Sequence, residues 1–313
     1  LEADLGLDAA ATPVEAITRI DRFVCTVKDS QYGDGLHIFG RGDHGAAERD
    51  GLLAALDGRR VPAGPSGSPW RGRGDVLPTG RNLYAIDPRA VPSRAAHAQG
   101  VRLAEELIRR HLQDQGDYPR GLVVDLWGSA TMRTAGEEFA MALHLLGAKP
   151  LWDLTSERVS GIEIVPLALL DRPRIDVTLR VSGLFRDAFP VLPQLFGQAV
   201  RALCGRDEPA DWNPFAGQHP SPRVYGPAAG SYGLGLGDAA EVYSDESRRA
   251  AGEAWLAASA HILDASGDGT DPLADSDGLR LRVAGADAFV HLQDLPETDL
   301  LLAADYAAHE GGF

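Results

Sequence analysis

The residues best suited to chemistry are the adjacent imidazole and carboxylate of His309 and Glu310, in "AAHEGGF". A second place is "GDGLHIFGRGDHG", which carries His37 and His44 among glycines. Imidazole and carboxylate donors suit cobalt, nickel, iron or zinc by ligand type. The same groups also serve as ordinary loop hydrogen-bonders. No HExxH motif and no pair of histidines at i, i+4 spacing occurs, so neither segment matches the helix-borne zinc pattern. "GSYGLGLG" matches neither GxGxxG after a strand nor GxxxxGK[ST], and it has no Lys to meet phosphates. It reads as a glycine-permitted turn where backbone comes close to something else. A GxSxG elbow is absent, which argues against the usual α/β-hydrolase.

Guanidinium and amide donors cluster in three further stretches. "LPTGRNLYAIDPRAVPS" carries Arg81, Asn82, Tyr84, Asp87 and Arg89 between three prolines and a glycine. It is too punctuated for a helix and too apolar for a free linker, so it predicts an ordered loop. "LVVDLWG" runs into "SATMRTAGEE", placing Ser129, Thr131, Arg133 and Glu137 where a strand ends and a helix starts. "IDVTLRVSG" runs into "LFRDAFP", placing Ser182, Arg186 and Asp187 likewise. Ligands of open α/β sheets bind beyond the carboxyl ends of the strands. An Arg there suits a carboxylate or phosphate. An Arg–Asp pair and a capping box that only fasten loops are the alternative.

The elements that must position these groups can be read from periodicity. "EAITRIDRFVCTVKDS" and "AAERDGLLAALDGRRV" predict amphipathic helices, the second ended before Pro62. "PAGPSGSPWRGRGDV" is a Gly/Pro/Ser-rich connector and marks a boundary. Ala95 to Gln113 predicts a helix, and "GLVVDLWG" a buried strand. "TAGEEFAMALHLLG" predicts a helix with Thr134 as N-cap, Glu137 at the capping-box spacing and Gly147 as its C-terminal stop. "KPLWD", "IEIVPL" and "IDVTLRVSG" follow as strands, and "DAFPVLPQLFGQAVRAL" as a helix with both prolines in its first turns. Ser247 to Leu263 predicts a helix, and "DAFVHLQDL" a strand. The expected fold class is α/β: a mostly parallel sheet with flanking helices, preceded by a helical segment. The expected division is 1–75 (helical segment and connector), 76–205 (α/β domain) and 206–313 (a continuation with Gly-rich loops).

Composition excludes several classes. The 313 residues carry 30 basic and 45 acidic side chains, a net charge of −15, which disfavours a nucleic-acid binder. Basic residues nevertheless concentrate between Arg71 and Arg186, leaving room for a local patch toward an acidic ligand. No apolar run reaches the roughly 20 residues of a membrane span. The opening "LEADLGLDAAATPVEA" lacks the pattern of a secretory signal. Cys25 and Cys204 stand far apart, which excludes a cysteine zinc site and suits a reducing cytoplasm.

Together the segments resemble one family, the large subunits of ATP-dependent tetrapyrrole chelatases. "KDSQYGDGLHIFG", "LPTGRNLYAIDPRAVPS", "YPRGLVVDLWGSATMRTAGEEFAMALHLLGAKPLWD", "RPRIDVTLRVSGLFRDAFP", "GPAAGSYGLGL" and "VHLQDLPETDLLLAADYAAHEGGF" occur in the family's order from about Phe23 to Phe313. "GRNLYAIDPRAVP", "MRTAGEE" and "SGLFRDAFP" are similar to the cobalt branch, whereas the magnesium branch tends to read "GKNIHALDPQAIP", "IKTYGE" and "SGVFRDLF". The family's large subunits are several times longer, and an upstream "HG…EF.PGK"-type motif is missing. The chain is therefore expected to be an internal piece of such a subunit.

The resemblance implies a subunit that holds the tetrapyrrole and the metal, while an AAA+ ATPase subunit and an integrin-domain-like subunit hydrolyse ATP and drive insertion. In the cobalt branch the metal is Co2+ and the macrocycle hydrogenobyrinic acid a,c-diamide, in aerobic cobalamin synthesis. In the magnesium branch they are Mg2+ and protoporphyrin IX; a non-catalytic tetrapyrrole-binding scaffold is a further alternative. A polycarboxylate macrocycle needs Arg and amide donors around apolar walls. We therefore expect Arg81, Asn82, Tyr84, Arg133, Arg186 and Asp187 to face substrate. His309, Glu310 and Glu137 are expected to handle protons, and His309, Glu310 and His37 the metal.

Overall fold

The structure is a computed structural model that describes Thr12, Glu15 and residues 17–19, 44–65, 77–84, 86–234, 244–264 and 273–292, with the backbone alone at 63, 65 and 82–84. Residues 1–84 with 295–302 form one compact unit, and residues 85–294 with 303–313 a second. Of the expected first helix, Glu15 and residues 17–19 are described, and they are helical.

In the first unit, α1 (Gly45–Leu56) packs on the turn at 77–81. Thr79 donates its hydroxyl to the buried Glu48 at 2.5 Å, and Gly80, at φ +83°, lies directly on the backbone of Glu48. Any side chain at Gly80 would collide there, so glycine is required by both space and φ. β1 (Ala63–Pro65), inside the expected connector, pairs in parallel with β2 (Asn82–Tyr84).

The second unit begins with α2 (Arg94–Gln115), capped by the Ser93 hydroxyl and closed by the left-handed Gly116. There follow β3 (Gly121–Leu126), α3 (Gly128–Thr134), α4 (Glu137–Leu146), β4 (Ala148–Trp152), β5 (Val159–Ile164), the single turn α5 (Leu167–Leu170), β6 (Asp176–Val181), α6 (Gly183–Ala188) and α7 (Val191–Cys204). β7 (Val224–Gly226), α8 (Asp245–Ser259), β8 (His261–Ile262), α9 (Ser276–Ala284) and β9 (Ala288–His291) complete it. The main sheet runs β8-β7-β6-β3-β9, parallel except for β8. The two strands expected from the apolar runs, β3 and β6, are its centre.

Strand alternation divides this sheet into two unlike faces. Leu122, Val124 and Leu126 of β3 and Val177, Leu179 and Val181 of β6 bury one face in a core with Phe139, Met141 and Phe196 of the covering helices. The other face presents Asp125, Thr178, Arg180, Phe289 and His291. Residues from the end of α8 and from α9 meet it, as the packing of Tyr225 with Ala260 and Leu279 shows.

Three local expectations change. β4 and β5 do not join the parallel sheet but form an antiparallel hairpin of their own, since only a few residues connect them. The α8 helix ends at Ser259, because the chain must turn extended to pair β8 with β7. The capping box at Thr134 is rearranged. Thr134 ends α3, Ala135 (φ 58°) and Gly136 (φ 93°) turn left-handed, and α4 starts at Glu137. The Thr134 hydroxyl accepts from the backbone of Gly136 and Glu137 at 3.2 and 3.3 Å, and its carboxylate partner at 2.9 Å is Glu138 rather than Glu137.

Arg174 fastens these pieces. Its side chain is fully buried, holds Glu208 through two bonds of 2.8 Å, and donates to the carbonyls of Leu146, Gly147 and Val165. Removing it takes two charged bonds from Glu208, which keeps Asn213 Nδ2 at 3.0 Å, and takes a donor from each of three carbonyls. Arg174→Met is expected to cost about 3–5 kcal/mol in urea or guanidinium unfolding; an unchanged midpoint would show that the network contributes nothing net.

Candidate functional site at the carboxyl ends of the sheet

β3 and β6 end level, Leu126 beside Val181, and each chain turns at once into a short helix. The Ser182 hydroxyl accepts from Gly128 N at 3.0 Å and Phe185 N at 3.2 Å, so one side chain ties both turns. Gly128 lies so close to Leu184 and Phe185 that a Cβ would fall 2.6–2.7 Å from them. α3 and α6 therefore start shoulder to shoulder, which brings the segments of Arg133 and Arg186 side by side. Arg133 is half-buried in the last turn of α3, and Glu137 is buried at the start of α4.

Arg186 and Asp187 are committed to a loop. The guanidinium holds Asp187 at 2.7 and 2.9 Å, donates to the carbonyls of Pro227, Ala228 and Ser231, and lies over the Tyr232 ring. The Tyr232 hydroxyl donates to Asp187 at 2.6 Å. The Arg186 bonds hold the Asp187 carboxyl below its usual range, and Asp187 in turn pushes the Tyr232 phenol up. Gly183 packs on Ser231 and Tyr232, so the close backbone approach expected of "GSYGLGLG" is made by its first residues.

The stretch from Asp87 to Ser93 docks on the turn before Glu137. Ser93 N donates to the Ala135 carbonyl at 3.1 Å, Gly136 packs on Val91 and Pro92, and the Trp152 indole donates to the Pro92 carbonyl at 2.8 Å. Asp87 caps the single 3-10 turn Pro88–Ala90 and pairs with Arg89 and Arg158. Burial works to raise its pKa, but these hydrogen bonds prevail and lower it to about 2. In the first unit, Arg81 folds back on its own turn, donating to the carbonyls of Pro78 at 2.9 Å and Leu77 at 3.3 Å. Asn82 and Tyr84 lie on β2. His37, His309 and Glu310 lie outside the described residues.

A charged row on the second face went unnoticed in the sequence. Asp125 stands in register with Arg180 on one side and His291 on the other. Arg180 reaches Asp125 Oδ1 at 3.0 Å and the Ser259 hydroxyl at 3.1 Å, with Trp255 nearby. The Trp127 indole donates to Asp125 Oδ2 at 2.7 Å, and His291 Nδ1 lies 3.4 Å from the same oxygen. Burial pushes the Asp125 carboxyl up, but His291 and Arg180 outweigh it and hold the pKa below normal. The available signal was a charge or imidazole inside runs that otherwise read as buried strands: "VVDL", "TLRV" and "FVH".

A cleft of about 460 Å³ lies on the same face at the amino ends of the strands, between Thr178, Tyr225 and α9. Arg223 and Arg282 meet Asp176 there, and Tyr225, pushed up to about 12 mainly by burial, donates to Asp275. It is remote from the strand ends that bear the expected site. Among the described residues no group of three or more His, Cys, Asp or Glu stands ready to hold a metal ion. No described helix is long and apolar enough to cross a membrane.

Fold and site thus define an α/β protein whose mostly parallel sheet carries polar loops at its carboxyl end. The family described as CobN/Magnesium Chelatase matches residues 42–313, and the chain belongs to it. It is 46% identical over 288 residues to the aerobic cobaltochelatase subunit CobN of Pseudomonas aeruginosa, covering 86% of this chain and 23% of that protein. Against the chloroplastic magnesium-chelatase subunit ChlH of Oryza sativa subsp. japonica, identity is 32% over 274 residues, covering 83% of this chain and 20% of that protein. The catalytic subunit of cobaltochelatase from Mycobacterium tuberculosis superposes with a TM-score of 0.73 at 37% identity, over 86% of this chain and 24% of that one. The chain therefore spans about a fifth to a quarter of the length of these relatives.

Two outcomes follow from the loop geometry. Because the folded pKa of Asp87 lies below its ordinary 3.8, its stabilisation is present above about pH 4 and is lost as pH falls through about 2. Asp87→Asn should thus melt lower than the parent at pH 7 and match it near pH 2; a gap independent of pH would refute the ion pairs. Arg186→Ala should raise amide exchange across residues 227–232 while β3 and β6 keep their protection.

Proposed function

We propose that this chain is part of the large, tetrapyrrole-holding subunit of a cobaltochelatase that inserts Co2+ into hydrogenobyrinic acid a,c-diamide in aerobic cobalamin synthesis. The observation that carries this is the 46% identity to an aerobic cobaltochelatase subunit across 86% of the chain, against 32% to a magnesium-chelatase subunit. ATP is hydrolysed on partners, an AAA+ subunit and an integrin-domain-like subunit, and the reaction takes place in the cytoplasm. The carboxyl end of the sheet supports the reading physically. A polycarboxylate macrocycle is held by charge-assisted hydrogen bonds around apolar walls, and the strand ends assemble Arg, Ser and aromatic groups in one place.

Within this reading Arg133, Arg81 and Asn82 hold peripheral carboxylates, with Tyr84 as a wall. Arg186 and Asp187 act by shaping the loop that closes the same end. Glu137, His309, Glu310 and His37 take protons and pass the metal. The decisive assay offers Co2+ and Mg2+ against corrin and porphyrin substrates to the complete subunit with its ATPase partners. Cobalt insertion into the corrin supports the proposal, and magnesium insertion into the porphyrin replaces it with the magnesium-branch reading. Tetrapyrrole binding without insertion of either metal points to a scaffold.

The loss of one charge-assisted hydrogen bond typically costs about 1.5–3 kcal/mol, roughly 10- to 150-fold in affinity. Arg133→Ala is expected to weaken corrinoid binding by that factor in a fluorescence titration. His309→Ala should instead lower the insertion rate with macrocycle affinity retained.

A further inference from the structure

We propose that the cleft at the amino ends of the strands is a second ligand site, which takes a small organic molecule by a single carboxylate. The cleft lies at the other end of the sheet from the turns of Arg133 and Arg186, so the chelatase reading is not required. Its volume of about 460 Å³ falls in the range of small-molecule pockets. The space exists because α9 does not fill it. Gly278, Leu281, Arg282 and Gly285 recur at i, i+3, i+4 and i+7, the spacing of one helix face, and all four line the cleft. A helix that covers a sheet ordinarily presents apolar side chains there. Here two of the four positions are glycine and a third ends in a guanidinium.

The polar groups around this space are not all engaged. Thr178 lines the cleft from the central strand β6 and is 3% exposed, and its hydroxyl makes no hydrogen bond with any described residue. A buried hydroxyl is ordinarily paired, and the open side of this one is the cleft. Arg223 is committed to its own surroundings. Its Nε and Nη2 hold Asp176 at 2.6 and 2.9 Å, while Nη1 serves Ser221 and the Pro222 carbonyl. Arg282 is less committed. It donates to the Ser221 hydroxyl at 2.9 Å and stands 3.6 Å from Asp176, with the Tyr225 hydroxyl beside it. A guanidinium has five N–H donors, so some remain for a ligand.

Charge selects the class of ligand. Two guanidiniums share the one carboxylate of Asp176. Asp275 is occupied elsewhere, capping α9 through Gly278 N at 2.9 Å and accepting from Tyr225 at 3.1 Å. One positive charge is thus left over at Arg282, and burial together with Arg223 works against it. A single carboxylate restores the balance and suits the planar fork of a guanidinium. Phosphate brings a further charge that the cleft does not match. Pro222, Leu281 and the Tyr225 ring supply apolar wall for the rest of the molecule.

The test titrates benzoate, and benzamide as its uncharged counterpart, against the complete subunit by ligand-observed NMR. Saturable benzoate binding is expected, with benzamide weaker by about tenfold or more. Arg282→Gln should weaken benzoate roughly 10- to 150-fold. Thr178→Val should weaken it by about 2- to 10-fold. Asp176 keeps Arg223 in the Arg282 variant, so its melting temperature should stay near that of the parent. If that variant nevertheless fails to fold, Thr178→Val and the comparison with benzamide decide. Absence of saturable binding overturns the proposal, whether the cleft stays empty or another part of the subunit fills it. Benzoate affinity unchanged in a folded Arg282→Gln places the probe elsewhere and overturns it too. Benzamide binding as tightly as benzoate, or inorganic phosphate displacing benzoate below the dissociation constant of benzoate itself, refutes the choice of a carboxylate.

Discussion

Asp125 and Arg180 face one another across the two central strands, charged, buried, and 3.0 Å apart. Taking two such charges from water costs several kcal/mol per ion, which their attraction offsets only when the remaining donors and acceptors are also bonded. Here they are, through Ser259 and Trp127. The consequence is register. A slip of one residue would turn Asp125 into the apolar face among Leu179, Phe139 and Phe196, with no counter-charge. Correct pairing of β3 with β6 brings Trp127–Gly128 level with Ser182–Gly183, and from that level the site is built.

Much of the remaining order around the sheet is held by guanidinium groups rather than by regular structure. Arg186 gathers the 227–232 loop, Arg158 and Arg89 fix Asp87, and Arg174 secures the carbonyls around the hairpin. Irregular backbone leaves carbonyls unsatisfied, and a planar five-donor group can serve several at once. The concentration of basic residues between Arg71 and Arg186 is thus in good part internal fastening. Arg186 is the clearest instance: it was expected to face a ligand, and it spends its polar atoms on the protein's own loop.

The central strands were legible because apolar runs such as "LVVDL" and "DVTLRV" admit few other fates in an α/β chain. Gly147 announced its helix end because glycine turns left-handed without strain. Long-range partnership was less legible. The hairpin of β4 and β5 shares its composition with parallel strands, and only the short connection between them distinguishes the two. Glu137 and Glu138 both stand near Thr134 in sequence, but the left-handed step at Ala135–Gly136 decides which one reaches it. The row of Asp125, Arg180 and His291 joins residues far apart in the chain. Each looks like an imperfection in its own strand until the register aligns them.

That register also explains how several sequence segments that lie far apart in the second unit meet at one end of the sheet. Asp87–Ser93 rests on Ala135–Gly136, which follows α3; α3 touches α6 through Ser182 and Gly128; α6 carries the Ser231–Tyr232 loop; and Trp127, at the root of α3, stacks on His291. Each contact joins two segments from different motifs. The stretches between them, among them most of α2, α7, α8 and α9, lie along the sheet rather than at its end. They supply the buried surface that holds the strands together. A side chain on this rim is positioned by neighbours drawn from the whole of the second unit, so its placement depends on the sheet behind it more than on its own loop.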